Sequence, residues 1–118
     1  MSDRPRPTGL VLHRASHILE VAFDSGEVFN LSCEYLRVHS PSAEVQGHGP
    51  GQRVLQHGKQ NVNIAEIVPV GHYAVLLKFD DGHETGIYSW NVLYDLGRHQ
   101  AENWKLYLDA LREANHTR

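Results

Sequence analysis

A repeated sequence plan limits the folds that are open to this chain. Phe23–Gly26 matches Phe79–Gly82 at a spacing of 56 residues, and Ser32 matches Ser89 at a spacing of 57. Each copy has an alternating apolar run, an Asp-x-Gly turn, a second run and a serine. The glycine supplies the positive φ that a tight turn requires. The pattern predicts two units, each made of strand, turn, strand and short helix.

The serine of each unit indicates where its short helix begins. A serine hydroxyl at this position can accept a hydrogen bond from a free backbone amide of the first turn. We expect the first helix to run from Ser32 to about Val38. The second is expected to begin after Ser89 and to stop at Gly97, because glycine suits the end of a helix.

Further periodic segments complete the predicted fold. Gly9–Arg14 should pair with His17–Phe23, and Val62–Val68 should lead into Tyr73–Phe79. A helix from about residue 99 to residue 114 is expected to pack on the core through four apolar side chains: Ala101, Trp104, Leu108 and Leu111. The predicted class is α+β: a small antiparallel β-sheet built from two hairpin-plus-short-helix units, with a C-terminal amphipathic helix.

The length of the chain indicates one domain, which we place at residues 9–115. Residues 1–8 are predicted to be disordered, because their alternating Arg and Pro cannot enter a helix or a central strand. Residues 40–60 hold four glycines and two prolines and are predicted to form a long loop. Such a loop is either functional or an insertion between the two halves.

Composition excludes several classes of protein. The net charge is −3 and no basic stripe is present, so nucleic acid is not an expected partner. No window approaches the ~18 apolar residues of a membrane span, and the N-terminus has no apolar signal core. These features predict a cytoplasmic protein without a membrane partner. The single cysteine, Cys33, excludes an internal disulfide framework and a multi-cysteine metal site.

Four segments carry a resemblance to a known family. They are Leu36–Glu44, His48–Gly51, Phe79–Trp90 and Leu96–Gly97. Together they resemble a family of small bacterial proteins that was long catalogued as a domain of unknown function and is now called the gamma-butyrobetaine hydroxylase-like N-terminal domain. The resemblance covers roughly residues 9–98.

The resemblance implies a zinc site that this chain has lost. In the eukaryotic hydroxylases, the corresponding domain binds a structural zinc through three cysteines and one histidine. The matching positions here are Ser40, Ser42 and Val45 for the cysteines and His83 for the histidine. Serine is a poor zinc ligand beside thiolate, and valine is none. We therefore expect no cofactor, zinc being the one candidate.

The resemblance also implies an accessory domain without the catalytic half. Non-haem iron dioxygenases begin their facial triad with His-x-Asp or His-x-Glu, and none of the nine histidines lies in such a motif. Relatives of the domain are fused to P-loop ATPases of iron–sulfur cluster assembly, but this chain has no Gly-x-x-x-x-Gly-Lys-Ser/Thr motif. We predict a non-enzymatic protein-interaction domain with a protein partner.

A polar cluster where the first short helix meets the long loop is the predicted binding site. Its candidate residues are Arg37, His39, Ser40, Ser42, Glu44 and His48, with Tyr88 and Trp90 lining an adjacent pocket. The cluster could grip a small anion or a peptide, with Arg37 as the charged contact. Alternatively, the serines only anchor the loop through hydrogen bonds to the backbone.

Two other functions compete with this hypothesis. The first is a metal-binding protein that uses His83 with His39 or His48, linked to the assembly of iron–sulfur or iron enzymes. The second is a small hydrolase that uses Cys33, since the first turn of a helix would lower the pKa of its thiol. Packing in the core is the simpler explanation for this cysteine.

Overall fold

The computed structural model describes residues 5–46 and 54–118. The strands are β1 (Pro7–His13), β2 (Ile18–Phe23), β3 (Val28–Ser32), β4 (Ile64–Val70), β5 (Ala74–Phe79) and β6 (Gly86–Ser89). The helices are α1 (Cys33–Val38), α2 (Ala43–Gln46), α3 (Trp90–Arg98) and α4 (Gln100–Glu113). The predicted α+β class and the C-terminal helix are confirmed.

The strands form two antiparallel sheets of three strands each, where a single small sheet was predicted. Sheet A has the order β1-β2-β3 and sheet B the order β4-β5-β6. Each repeated unit thus has its own sheet, followed by its own short helix. The turn glycines Gly26 and Gly82 have φ values of 91° and 93°, as the repeat requires.

Both short helices begin at the serine that the sequence indicates. Ser32 Oγ accepts a hydrogen bond from the Tyr35 amide at 3.0 Å, and Ser89 Oγ accepts one from the Val92 amide at 3.1 Å. Each cap satisfies a donor that would otherwise lack a partner in the first helical turn. The same local signal therefore sets the start of a helix in both units.

A large core lies between the two units. Its most deeply buried members come from both sheets and from α1 and α3: Leu19, Leu31, Tyr35, Leu36, Ile64, Leu77, Tyr88 and Leu93. Two buried tyrosines also join the units through hydrogen bonds. Tyr35 donates to the Leu96 carbonyl at 2.6 Å, and Tyr88 donates to the Leu36 carbonyl at 2.5 Å.

The chain departs from the predicted boundaries in the first strand and in the long loop. Strand β1 begins at Pro7, inside the segment that was predicted to be disordered. A proline is tolerated there because β1 is an edge strand. Within residues 40–60, Ala43–Gln46 form the short helix α2 rather than irregular loop.

The buried face of α4 is rotated from the predicted stripe. Tyr107 and Leu111 are its buried residues, while Ala101 is exposed. Trp104 and Leu108 are only half-buried. No helix in the described part of the chain is long and apolar enough to cross a membrane.

Gly97 does not stop α3, contrary to the prediction, because the helix continues to Arg98. A side chain at this position would lie 2.4 Å from the Phe29 ring. Glycine is required here because the helix and the aromatic ring of sheet A approach closely. The need is one of packing and not of backbone conformation.

We expect Gly97→Ala to destabilise the protein by about 1–3 kcal/mol, because the added methyl group would overpack the contact with Phe29. Alanine favours a helix over glycine by ~1 kcal/mol, which only partly offsets the clash. Gly9→Ala is the control, since a side chain there meets no atom within 4 Å. Urea denaturation checks both variants. Equal stability of the two would contradict the packing explanation.

Candidate functional site

The end of α1 and the α2 region pack against the turn between β5 and β6. Polar side chains from both segments meet there and form what we call the helix–hairpin cluster: Arg37, Ser40, Ser42, Glu44, Asp81, His83 and Thr85. The cluster joins the first repeated unit to the second through side chains alone.

The imidazole of His83 is the buried centre of the cluster, with 5% of the residue exposed. Its Nε2 lies 2.8 Å from Ser40 Oγ, and its Nδ1 lies 3.0 Å from Glu44 Oε2. A neutral ring with its proton on Nδ1 satisfies both contacts, because it donates to the carboxylate and accepts from the hydroxyl. Ser40 Oγ also accepts the Ser42 amide at 3.2 Å.

Folding lowers the pKa of His83. Burial is the main cause, and the positive charge of Arg37 acts in the same direction, while Glu44 and Asp81 act against them. The Glu44 side chain is 63% exposed, so water screens its attraction for the imidazolium. The neutral ring is therefore favoured even though a carboxylate lies beside it.

Asp81 organises the charged side of the cluster. Its Oδ2 accepts hydrogen bonds from Arg37 Nε at 2.9 Å and Lys59 Nζ at 2.7 Å, and its Oδ1 accepts the His83 amide at 3.1 Å. Burial alone would raise the pKa of Asp81, but these hydrogen bonds and the Arg37 charge lower it to about 2. Its contribution to stability is present above an ordinary Asp pKa of ~3.9 and is lost as the pH falls towards 2.

Arg37 belongs to the interior of the fold and not to its surface. Only 7% of the residue is exposed. Its Nη1 is buried and has no hydrogen-bond partner among residues 5–46 and 54–118. Arg37, which was predicted as the charged contact of the cluster, pairs its charge with Asp81 beneath the surface of the protein.

The two repeated units contact each other reciprocally. Arg37 at the end of α1 binds Asp81 in the turn of the second hairpin. At the equivalent position of the second unit, Tyr94 of α3 donates to Glu27, beside the turn of the first hairpin, at 2.7 Å. The helix of each unit thus holds the hairpin of the other.

The atoms of Ser40, His83 and Glu44 follow the order of a serine hydrolase triad, but the serine hydroxyl is closed off from solvent. Ser40 is fully buried. A side chain at Gly86 would lie 2.6 Å from its hydroxyl, so the surroundings are filled on that side as well. Among the described residues the hydroxyl is enclosed, and its contacts with His83 and the Ser42 amide tie α1 and the α2 region to the second hairpin.

The exposed rim of the cluster is formed by α2 and the start of β6. Thr85 Oγ1 lies 2.7 Å from Ser42 Oγ and donates to Glu44 Oε2 at 3.2 Å. Ser42 Oγ in turn accepts the Glu44 amide at 3.2 Å. Ser42 is itself buried, so Glu44 and Thr85 are the members of this chain of hydrogen bonds that solvent reaches.

Two of the remaining predicted residues lie outside the cluster. The His39 ring packs on Tyr35 and Tyr107, with ring centroids 4.7 and 6.2 Å away. It lines a mainly apolar cavity of about 310 Å³ against α4. Trp90 follows the far end of β6, where its indole donates to the His72 carbonyl at 2.8 Å. Sequence proximity placed these residues in the site, but their side chains point elsewhere.

Tyr88 and His48 complete the predicted set. Tyr88 is fully buried beneath the cluster, so it supports the site without lining a pocket. Burial raises the pKa of its hydroxyl. His48 lies outside the described residues.

The positions that correspond to zinc ligands do come together in part. Ser40 contacts His83 directly, and Ser42 lies two residues further along the chain. Val45 is buried and offers no ligand atom. Within residues 5–46 and 54–118, no group of three or more His, Cys, Asp or Glu side chains could hold a metal ion. The hypothesised pairing of His83 with His39 receives no support from the ring contacts of His39.

Sequence reasoning missed Lys59 and Thr85, and it underrated Asp81. The Asp-Asp-Gly motif predicted the turn correctly. It carried no information about which segment the second aspartate would face, because Arg37 is 44 residues and Lys59 22 residues away along the chain. Such distant partners leave no local signal.

Cys33 is a core residue. It is fully buried, and its Sγ lies 3.5 Å from the side-chain oxygen of Asn63. Burial raises the pKa of the thiol to about 11, which is opposite to the lowering expected from the start of a helix. The burial of the thiol outweighs the helix dipole at this position.

Comparison with known proteins establishes the family. The model of the family "Gamma-butyrobetaine hydroxylase-like, N-terminal" matches residues 10–94. The chain therefore belongs to the gamma-butyrobetaine hydroxylase-like N-terminal family, as the sequence resemblance predicted. A search of curated proteins finds no match.

Solved structures agree with this assignment. A protein with an NMR solution structure is 58% identical, with a TM-score of 0.85 over 100% of this chain and 88% of that one. A second NMR solution structure is 44% identical, with a TM-score of 0.84 over 97% of this chain and 90% of that one. A crystal structure of a protein of unknown function from Acidithiobacillus ferrooxidans, of the DUF971 family, is 38% identical, with a TM-score of 0.65 over 77% of this chain and 91% of that one.

In an NMR titration, we expect the His83 ring to titrate below the ordinary histidine pKa of ~6.5. Glu44→Gln should lower this pKa further, because it removes a favourable charge, whereas Arg37→Gln should raise it. Glu102→Gln, which changes an exposed carboxylate on α4, is the control. Because the pKa of His83 is lower in the folded state, the unfolded state binds the proton more readily. The contribution of His83 to stability is therefore lost as the pH falls below ~6.5. A rise of the pKa in Glu44→Gln would contradict the assigned contact.

Cys33 in the folded protein should resist iodoacetamide at neutral pH, because its thiol is buried and carries a raised pKa. The same protein in concentrated urea is the control and should be labelled fully. Mass spectrometry of both samples gives the labelled fraction. Rapid labelling of the native protein would show that the thiol is reactive.

Proposed function

We propose that this domain is a non-enzymatic module that docks onto a partner protein through the exposed rim of the helix–hairpin cluster. The proposal is supported by the hydrogen bonds through which the buried part of the cluster holds the exposed side chains of the rim in place. Glu44 is 63% exposed, yet it is held by hydrogen bonds to buried His83 and to Thr85. A polar surface that is fixed before binding loses less conformational entropy when a partner docks.

The reactive groups of the described residues support an accessory role. The Ser40 hydroxyl and the Cys33 thiol are both fully buried, so neither can attack a substrate. The family takes its description from the N-terminal part of hydroxylase-like proteins. We infer that this chain needs no zinc, because hydrogen bonds from His83 to Ser40 and Glu44 tie together the segments that zinc ties in the metal-binding relatives.

The charge of the rim favours a protein partner with basic side chains. Glu44, which contacts the His83 ring, and Glu84, which follows His83 in the chain, are both exposed. The Arg37 and Lys59 charges are already neutralised in part by Asp81. An acidic rim would repel the phosphates of nucleic acid, and it complements lysine or arginine on a protein. We place this interaction in the cytoplasm.

Affinity purification from the native host tests the proposal. Glu44→Lys reverses an exposed charge without removing buried atoms and should abolish recovery of the partners that the wild-type domain enriches. Glu102→Lys is the matched control, because Glu102 is likewise exposed and likewise lies beside a histidine, with 72% of its side chain exposed. It should recover the same partners as the wild type.

Circular dichroism should show that both variants are folded. Equal recovery of partners by Glu44→Lys and by the wild type would show that the rim is not the contact surface. Loss of partners in Glu102→Lys alone would move the contact to α4.

A further inference from the structure

The two sheets can be compared position by position, because strand register aligns the repeats. The central cross-strand row of sheet A consists of Val11, Glu20 and Asn30. The equivalent row of sheet B consists of Val68, Leu76 and Ile87, which we call the outer row of sheet B. Spacings of 56 and 57 residues relate the members of the two rows.

Both rows lie on the side of their sheet that faces away from the core. Leu19 and Val21 flank Glu20 and are fully buried. Val75 and Leu77 likewise flank Leu76 and are buried. Since side chains alternate along a strand, Glu20 and Leu76 point outward.

The fold does not require an apolar side chain in this row. Sheet A carries a carboxylate at the centre of its row, where Glu20 lies 3.0 Å from the His13 ring. Sheet B has the same topology and the same register but places Leu76 there. It ends the row with Ile87, which is 48% exposed. An outward apolar row across a whole sheet, where the sister sheet is polar, is typical of a surface that another molecule covers.

The charges beside the row indicate what that molecule is. Glu66 and Lys78 occupy the neighbouring cross-strand pair on the same face. Their charged atoms are 3.7 Å apart, and their side chains are 61% and 33% exposed. The pair holds one acidic and one basic side chain. The same pair on a second copy can therefore place its base opposite this acid and its acid opposite this base. Such a charge pair suits an isologous contact, in which two identical surfaces face each other.

We propose that the outer face of sheet B binds a second copy of this chain. A two-fold axis that runs along the strands, between β4 and β5, places Val68 opposite Leu76 of the second copy. The same axis places Glu66 opposite Lys78 of the second copy. Both the apolar and the charged contacts are therefore satisfied by one symmetric arrangement, with the two sheets packed face to face.

This proposal is independent of the one for the helix–hairpin cluster. The dimer uses the outward side chains of β4 and β5, whereas the partner contact uses Glu44 and its neighbours. Self-association can fail while Glu44→Lys still abolishes partner recovery, and the reverse also holds.

Sedimentation equilibrium of the full chain, from about 1 µM to about 1 mM, tests the proposal across weak and moderate affinities. We expect the wild type to pass from monomer to dimer in this range. Leu76→Glu and Ile87→Asn give sheet B the residues that sheet A carries at the same positions, so the fold has a precedent for both. Leu76→Glu should weaken the dimer by tenfold or more, roughly the effect of losing ~1.4 kcal/mol. Ile87→Asn should weaken it less, because β6 lies beyond the two strands that the axis brings face to face.

Val11→Glu is the matched control. Val11 is as exposed as Ile87, at 48%, but it lies on sheet A. This variant should dimerise like the wild type. Thermal denaturation of every variant shows whether a loss of dimer reflects unfolding.

Charge reversal tests the arrangement of the two copies. Glu66→Lys and Lys78→Glu should each weaken the dimer, because like charges then face each other across the axis. Mixing the two variants should restore association, since each contact then joins opposite charges. A pair within one chain cannot give this result, because each variant keeps two like charges in its own pair.

A wild-type protein that remains monomeric up to 1 mM overturns the proposal, even if another protein covers this face. A dimer that Leu76→Glu leaves intact also overturns it, because the contact then lies elsewhere. A mixture that associates no better than its separate components rules out the two-fold arrangement.

Discussion

Burial of the His83 ring and of the Arg37 guanidinium is the constraint on which the rest of this site depends. A polar group removed from water is costly unless it is hydrogen-bonded, and a buried charge also needs an opposite charge. His83 meets the requirement through Ser40 and Glu44. Arg37 meets the charge requirement through Asp81, although its Nη1 has no hydrogen-bond partner among the described residues. The bonds hold α1, α2 and the second hairpin in one arrangement, so the surface above them is fixed as well.

The two repeated units are alike in backbone and different in chemistry. In the first unit, Glu27 follows the turn glycine and binds Tyr94 at the edge of the core. In the second, His83 occupies the equivalent position and binds Ser40. Each contact joins a hairpin of one unit to the helical part of the other. The fold depends on these reciprocal contacts between the two units. The polar cluster of the second hairpin arises because His83 and Asp81 are the residues that make them there.

Much of the fold could be predicted because its signals are local. Gly26 and Gly82 mark turns through their backbone conformation, and Ser32 and Ser89 mark helix starts through hydrogen bonds to nearby amides. The prediction for Gly97 was wrong, because a glycine at the end of a helix and a glycine under an aromatic ring look the same in sequence. The sequence grouped Arg37, Ser40, Ser42 and Glu44 in one polar segment, and the burial of the first three became visible only in the structure.

The sequence by itself determined the repeated units and the family, since each depends on residue types at short spacings. Only the tertiary structure decided that the units form two sheets and that Arg37 lies inside while Glu44 lies outside. It also decided that Ser40 and His83 bond to each other across the two units. These features depend on which distant segments pack together, and packing is set by the whole core and not by any local run of residues.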